Sequence, residues 1–163
     1  MKATITFDFD ESLQSALASI ITKSAGTIAE TPAEKPAEIV TPAFEDGKFI
    51  GARVCVSGED FIIAPKDYRD GKEMPWREAM DALKADNLST WNYRQICLTM
   101  AYRKEVDKVL VDNGGDSLGN WYWTCAEYSA NISFYYIGDY GFLTLNYKTG
   151  ACSVRPVLAL AKS

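Results

Sequence analysis

The chain has 163 residues, 47% hydrophobic and 24% charged, with 17 Lys+Arg, 22 Asp+Glu and no histidine. That is ordinary globular composition, enough for one domain and a small appendage, and folding should bury roughly 69% of the extended chain's surface. Without imidazole there is no Ser-His-Asp triad, no Cys-His dyad and no histidine metal ligand, and the net charge of −5 argues against a nucleic-acid partner, which needs a positive face.

Residues 2–9 alternate polar and apolar, with Ile5, Phe7 and Phe9 on one side, and predict a short strand. Asp10 can cap a helix over about residues 11–23, whose stripe is Leu13, Leu17, Ile20 and Ile21, with Gly26 as its stop. This gives an N-terminal strand-helix appendage, residues 1–25. Residues 26–43 carry Pro32, Pro36 and Pro42 among Ala, Glu and Thr and read as a semi-rigid linker. The early acids do not make a signal peptide. No apolar run approaches the ~18 residues of a membrane span, so the reading is a chain made in the cytoplasm with no membrane partner.

The main domain, residues 44–163, is expected to open with strands at Ile50–Val56 and Phe61–Ala64. Pro75 stands in the first turn of a helix ending near Asp86, with Trp76, Ala79, Met80 and Leu83 as its apolar stripe. Asn92 opens a second helix, and Gln95 completes a capping-box pattern. This helix runs to about Val111, with a break near Tyr102, buries Val106, Val109 and Leu110, and stops at Asn113-Gly114-Gly115. From Trp121 onward the texture is β, with strands at 121–127, 132–137, 142–147 and 152–160. Gly138–Gly141 and Lys148–Gly150 read as hairpin turns. Two helices followed by an antiparallel sheet make an α+β domain.

The cysteines Cys55, Cys97, Cys125 and Cys152 are scattered, with no C-x-x-C pair, so no metal site is expected. Reduced thiols are the simpler reading, and a Cys125–Cys152 pair stays open. In the last strands Trp121 and Trp123 share one face and Tyr122 takes the other. Arg155 lies in an apolar strand and is expected to pair with Glu127.

The segment from Val111 to Leu160 resembles the C-type-lectin-fold proteins of the DUF1566 type and the variable proteins of diversity-generating retroelements. The residues that carry the resemblance are Gly114-Gly115, Tyr122-Trp123, Glu127-Tyr128-Ser129, Lys148 and Val154-Arg155-Pro156-Val157. Upstream, residues 61–68 and the Trp76 helix look like the family's entry segments. The likeness covers about residues 44–160. Cys125 and Ala126 depart from the family's usual Ser-Thr, and Gly138 stands where the family often has a large apolar residue.

The resemblance implies a C-type lectin fold with a constant scaffold and a diversified face. Residues 129–147 contain no Lys, Glu, Gln, Met or Trp, types that supply 31 of the other 144 residues. Chance would leave such a gap about one time in a hundred on ordinary composition, although strands deplete Lys and Glu in any case. Retroelement diversification of AAC and AAT codons never produces those five types. The candidate variable, ligand-binding residues, all of permitted types, are Cys125, Ala126, Ile132, Phe134, Tyr135, Tyr136, Ile137, Asp139, Tyr140, Phe142, Leu143, Leu145, Tyr147, Gly150, Ala151 and Cys152. Tyrosine and phenylalanine there suit a paratope-like surface, with large contact area at low entropic cost.

The expected function is therefore a display protein for a protein or cell-surface ligand, with no catalytic residues and no cofactor. Residues 1–43 would attach it to a larger particle, such as a phage virion, or serve oligomerisation. Three other readings compete with it. A formylglycine-generating oxidoreductase, which the same fold hosts, would need an activated cysteine pair, and the neighbours of Cys125 and Cys152 are Ala, Thr, Ala and Ser. A calcium-dependent lectin would need Glu-Pro-Asn or Trp-Asn-Asp loops, and neither occurs. A structural virion domain would carry the same fold without variable binding.

Overall fold

The computed structural model describes residues 38–160. The strand at 2–9, the helix at 11–23 and the linker as far as residue 37 lie outside the described residues. In chain order the elements are β1 (Val40–Glu45), β2 (Lys48–Val56), β3 (Glu59–Ile63), β4 (Met74–Pro75), α1 (Trp76–Ala85), α2 (Tyr93–Ala101), α3 (Arg103–Asp112), β5 (Trp121–Glu127), β6 (Ile132–Ile137), β7 (Phe142–Tyr147), β8 (Ala151–Cys152) and β9 (Val157–Ala159). The architecture is α+β, with three helices and antiparallel sheets in the orders β1-β2-β3-β9, β4-β8 and β5-β6-β7.

The first sheet is a meander whose two-residue turns, Asp46-Gly47 and Ser57-Gly58, hold both central residues at positive φ. This is the turn geometry that matches strand twist. β1 takes Val40–Ala43 from the stretch read as linker. Its Pro42 is tolerated because β1 is an edge strand, where a missing N–H breaks no ladder on the open side. Val40 anchors the strand by entering the core.

The helices follow the sequence signals closely. Asn92 accepts from the Gln95 amide at 2.9 Å while the Gln95 side chain accepts from the Asn92 amide at 3.0 Å. The long helical segment breaks at Tyr102 into α2 and α3. Gly114, at positive φ, ends α3, and the Gly115 amide returns to the Leu110 carbonyl at 2.8 Å.

Alternation along β5-β6-β7 sends two sets of side chains into two cores. Tyr122 and Tyr136, paired across β5 and β6, join Trp91, Ile96, Val106 and Leu110 and the inner face of the first sheet. Trp123 and, in part, Tyr135 point the other way, against Trp76, Leu83, Met74 and Val154. The sheet is thus covered on both faces along β5, while β7 is its edge.

The single strand expected over 152–160 is instead two short ones, β8 and β9. Between them the backbone spreads its hydrogen bonds over several neighbours. Ser153 bonds with Trp121 and Trp123, the Val154 carbonyl accepts from Tyr68, and the Pro156 carbonyl accepts from Ala64. Pro156 has no N–H for a continuous ladder, so this segment joins the sheets rather than extending one. For the same reason Lys148–Gly150 is a turn but not a hairpin, since β7 and β8 belong to different sheets.

Candidate functional site

Arg155 is fully buried, and its partner is not Glu127. Its Nε donates to Asp67 Oδ1 at 2.5 Å, Nη1 to the Ala64 and Asp116 carbonyls at 3.1 Å each, and Nη2 to the Ser117 carbonyl and the Tyr122 hydroxyl at 3.3 Å. Asp67 also accepts from Asn120 at 2.7 Å. Charge-assisted bonds in a desolvated site are strong when every donor is met, so this corner fastens residues 64–67, 116–120 and 155 to the root of β5. Glu127 pairs with Lys148, whose ammonium also donates to the Ala130 carbonyl at 3.1 Å and lies 4.4 Å from the Trp76 ring centre. Arg155 is out of reach of Glu127 as a partner because the chain between Val154 and Pro156 leaves the sheet.

The candidate variable residues divide by burial. Cys125, Asp139, Tyr140, Phe142, Leu145, Tyr147 and Ala151 are exposed. Ala126, Ile132, Phe134, Tyr135, Leu143 and Gly150 are half-buried. Tyr136, Ile137 and Cys152 are buried, which corrects the reading of them as exposed contact residues: Tyr136 and Cys152 belong to the packed cores, and Ile137 is covered between its cross-strand neighbours Trp121 and Phe142. Tyr136 fills the first core and Cys152 the second. Burial pushes the Cys152 thiol up to about 11.

Exposure rises towards the β7 edge, with Tyr140 75% and Tyr147 67% accessible. Two aromatic patches form, one on each face of the sheet. On the first, Phe134 lies edge-on to Tyr93 at 5.1 Å and to Tyr128 at 6.1 Å, with Leu145 and Tyr147 beside it across β6 and β7. On the second, Trp121, Ile137 and Phe142 share one cross-strand row, and Tyr140 lies 6.2 Å from Phe142. Tyr135 sits 6.1 Å from both Trp121 and Trp123 and so bridges the second patch to its core. Exposed aromatics grouped in this way make each patch a candidate interaction surface.

Three patch residues were absent from the sequence-derived set: Tyr93, Trp121 and Tyr128. Tyr93 carried a signal, an aromatic on the solvent stripe of α2, one turn before exposed Cys97. Trp121 is exposed because it stands at the open end of the row that Trp123 continues inward.

All four cysteines are free. Among the described residues no group of three His, Cys, Asp or Glu side chains could hold a metal ion, and no helix is long and apolar enough to cross a membrane. No protein-family model matches this chain, and no curated protein does.

Proposed function

We propose that residues 38–160 form a C-type-lectin-like display domain, of the kind diversified by retroelements, whose aromatic β6–β7 surface binds a protein or cell-surface ligand. The observation that carries this reading is that the exposed edge is built wholly from permitted residue types, whereas the frame mixes such types with ones that diversification cannot produce. The side chains projecting there, Asp139, Tyr140, Phe142, Leu145 and Tyr147, are all types that AAC or AAT diversification can produce. The groups that fix the sheet include Met74, Trp76, Trp91, Trp123 and Lys148, which it cannot produce. Trp121 is the exception, an exposed aromatic outside the permitted set, and on this reading it is a constant contact.

Large, rigid aromatics on a firmly held frame lose little entropy on binding. The thiols weigh against the oxidoreductase reading, because a nucleophilic cysteine needs a depressed pKa and burial drives Cys152 the other way. The flanking DNA tests the proposal. An adenine-rich repeat of the codons for residues 125–156, beside a reverse-transcriptase gene, is the expected finding. A genomic neighbourhood holding neither would remove diversification from the account.

A further inference from the structure

Beside the exposed edge, the guanidinium of Arg103 at the start of α3 gathers four partners. It donates to Asp107 Oδ2 at 2.6 Å, to the Tyr136 hydroxyl at 2.9 Å, to the Leu118 carbonyl at 2.7 Å and to the Gly138 carbonyl. Asp107 in turn accepts from the Leu118 amide at 2.8 Å. The Gly138 amide donates to the Asn120 carbonyl at 2.8 Å, and a Cβ at Gly138 would run into the Leu118 and Asn120 carbonyls. The start of the β6–β7 turn is therefore pressed against residues 118–120 and held by Arg103.

None of these contacts uses the side chain of Asp139 or Tyr140. Among the described residues the turn is grasped by its main chain, at Gly138, and from below through the buried Tyr136. Asp139 and Tyr140 project outward from it and form one wall of a cleft of about 440 Å³, whose other wall is Met100, Arg103, Lys104 and Glu105 of the α2–α3 junction, so Arg103 holds the turn from within the cleft wall itself. One wall of the cleft is thus helical frame and the other is turn side chain.

We propose that Arg103 is the positioning residue of the binding surface: it holds the β6–β7 turn through the main chain, which leaves Asp139 and Tyr140 as exchangeable specificity determinants at the cleft. This rests on the binding reading above. A guanidinium suits the task because its fork of donors meets several acceptors in fixed directions. A lysine, with its three donors on a single nitrogen, could keep some of these bonds but not the set.

Amide hydrogen exchange at Gly138 and Gly141 in the full chain, followed by NMR without ligand, tests it. Arg103→Ala should speed exchange at both amides by about tenfold or more relative to amides in β5, and Arg103→Lys should recover only part of the protection. The double variant Asp139→Ala/Tyr140→Ser should stay within about twofold of the parent. Urea midpoints are measured in parallel, so that turn opening is separated from global destabilisation. Should Arg103→Ala fail to fold, Gly138→Ala, which keeps the arginine, should loosen the Gly141 amide by itself. Unchanged exchange in the arginine variants, or equal loosening in Asp139→Ala/Tyr140→Ser, would overturn the proposal. Because no ligand is present, failure here is distinct from failure to find a ligand.

Discussion

The Arg155 corner and the β7 edge belong to one small assembly of sheets and obey opposite rules. At the corner every polar group is matched: five donors of one buried guanidinium meet one carboxylate oxygen, three carbonyls and a hydroxyl. At the edge the side chains of Tyr140 and Tyr147 meet mostly water, and those of Phe142 and Leu145 are exposed over somewhat less than half their surface. The corner joins segments far apart in sequence, whereas the edge is one hairpin. A sheet can carry both because β5 is covered on its two faces while β7 pairs with no further strand among the described residues. Burial therefore falls from β5 to β7, and tolerance of substitution should rise in the same direction.

The largest effect should come from the corner. Arg155→Ala removes the cationic partner of Asp67, whose carboxylate keeps only neutral donors such as Asn120, and strips three carbonyls of their donor; it should cost about 3–5 kcal/mol, seen as a collapse of the urea midpoint. Adding Asp67→Leu should restore little, since the Ala64, Asp116 and Ser117 carbonyls stay unmatched. A full recovery would show that the ion pair alone matters. Trp123→Ala comes next, at about 3–5 kcal/mol for a buried indole, with the added loss of its bond to the Met74 carbonyl at 2.9 Å.

The smaller effects sharpen the contrast. The Cys152 thiol ionises near 9.0 in the unfolded chain and near 11 in the folded one, so between those values the folded state binds more protons. Its contribution is complete below about pH 9 and declines as pH rises toward 11, by up to about 1.4 kcal/mol per pH unit. Urea midpoints measured from pH 8 to pH 10 should fall, and Cys152→Ala should flatten that fall. At the edge, replacing Tyr140, Phe142 and Tyr147 by serine should cost no more than about 0.5 kcal/mol each. The same variant should abolish binding to whatever the parent recognises.

Much of this was legible in the sequence, and the misses share a physical cause. The caps and break of the helical segment, the β5–β7 strands and the Gly138–Gly141 turn rest on local signals within a few residues. The partner of Arg155 was misread because Asp67 lies 88 positions away and nothing local links the two. Burial of Tyr136 and Cys152 was missed for a related reason. Period-2 alternation says which residues share a face, but not that α1 covers one face and α2 and α3 the other. The β1 strand was hidden by proline-rich composition, which is compatible with an edge strand and so does not exclude one.

The central claim is that frame and surface are separable within one sheet, and paired libraries measured by protease resistance test it most directly. One library randomises Phe134, Asp139, Tyr140, Phe142, Leu145 and Tyr147 with codons that differ from AAC and AAT in their first two bases. The other randomises Tyr122, Trp123, Tyr136, Val154 and Arg155 in the same way. Most members of the first should resist protease as the parent does, and almost none of the second should. Equal resistant fractions in the two libraries would contradict it.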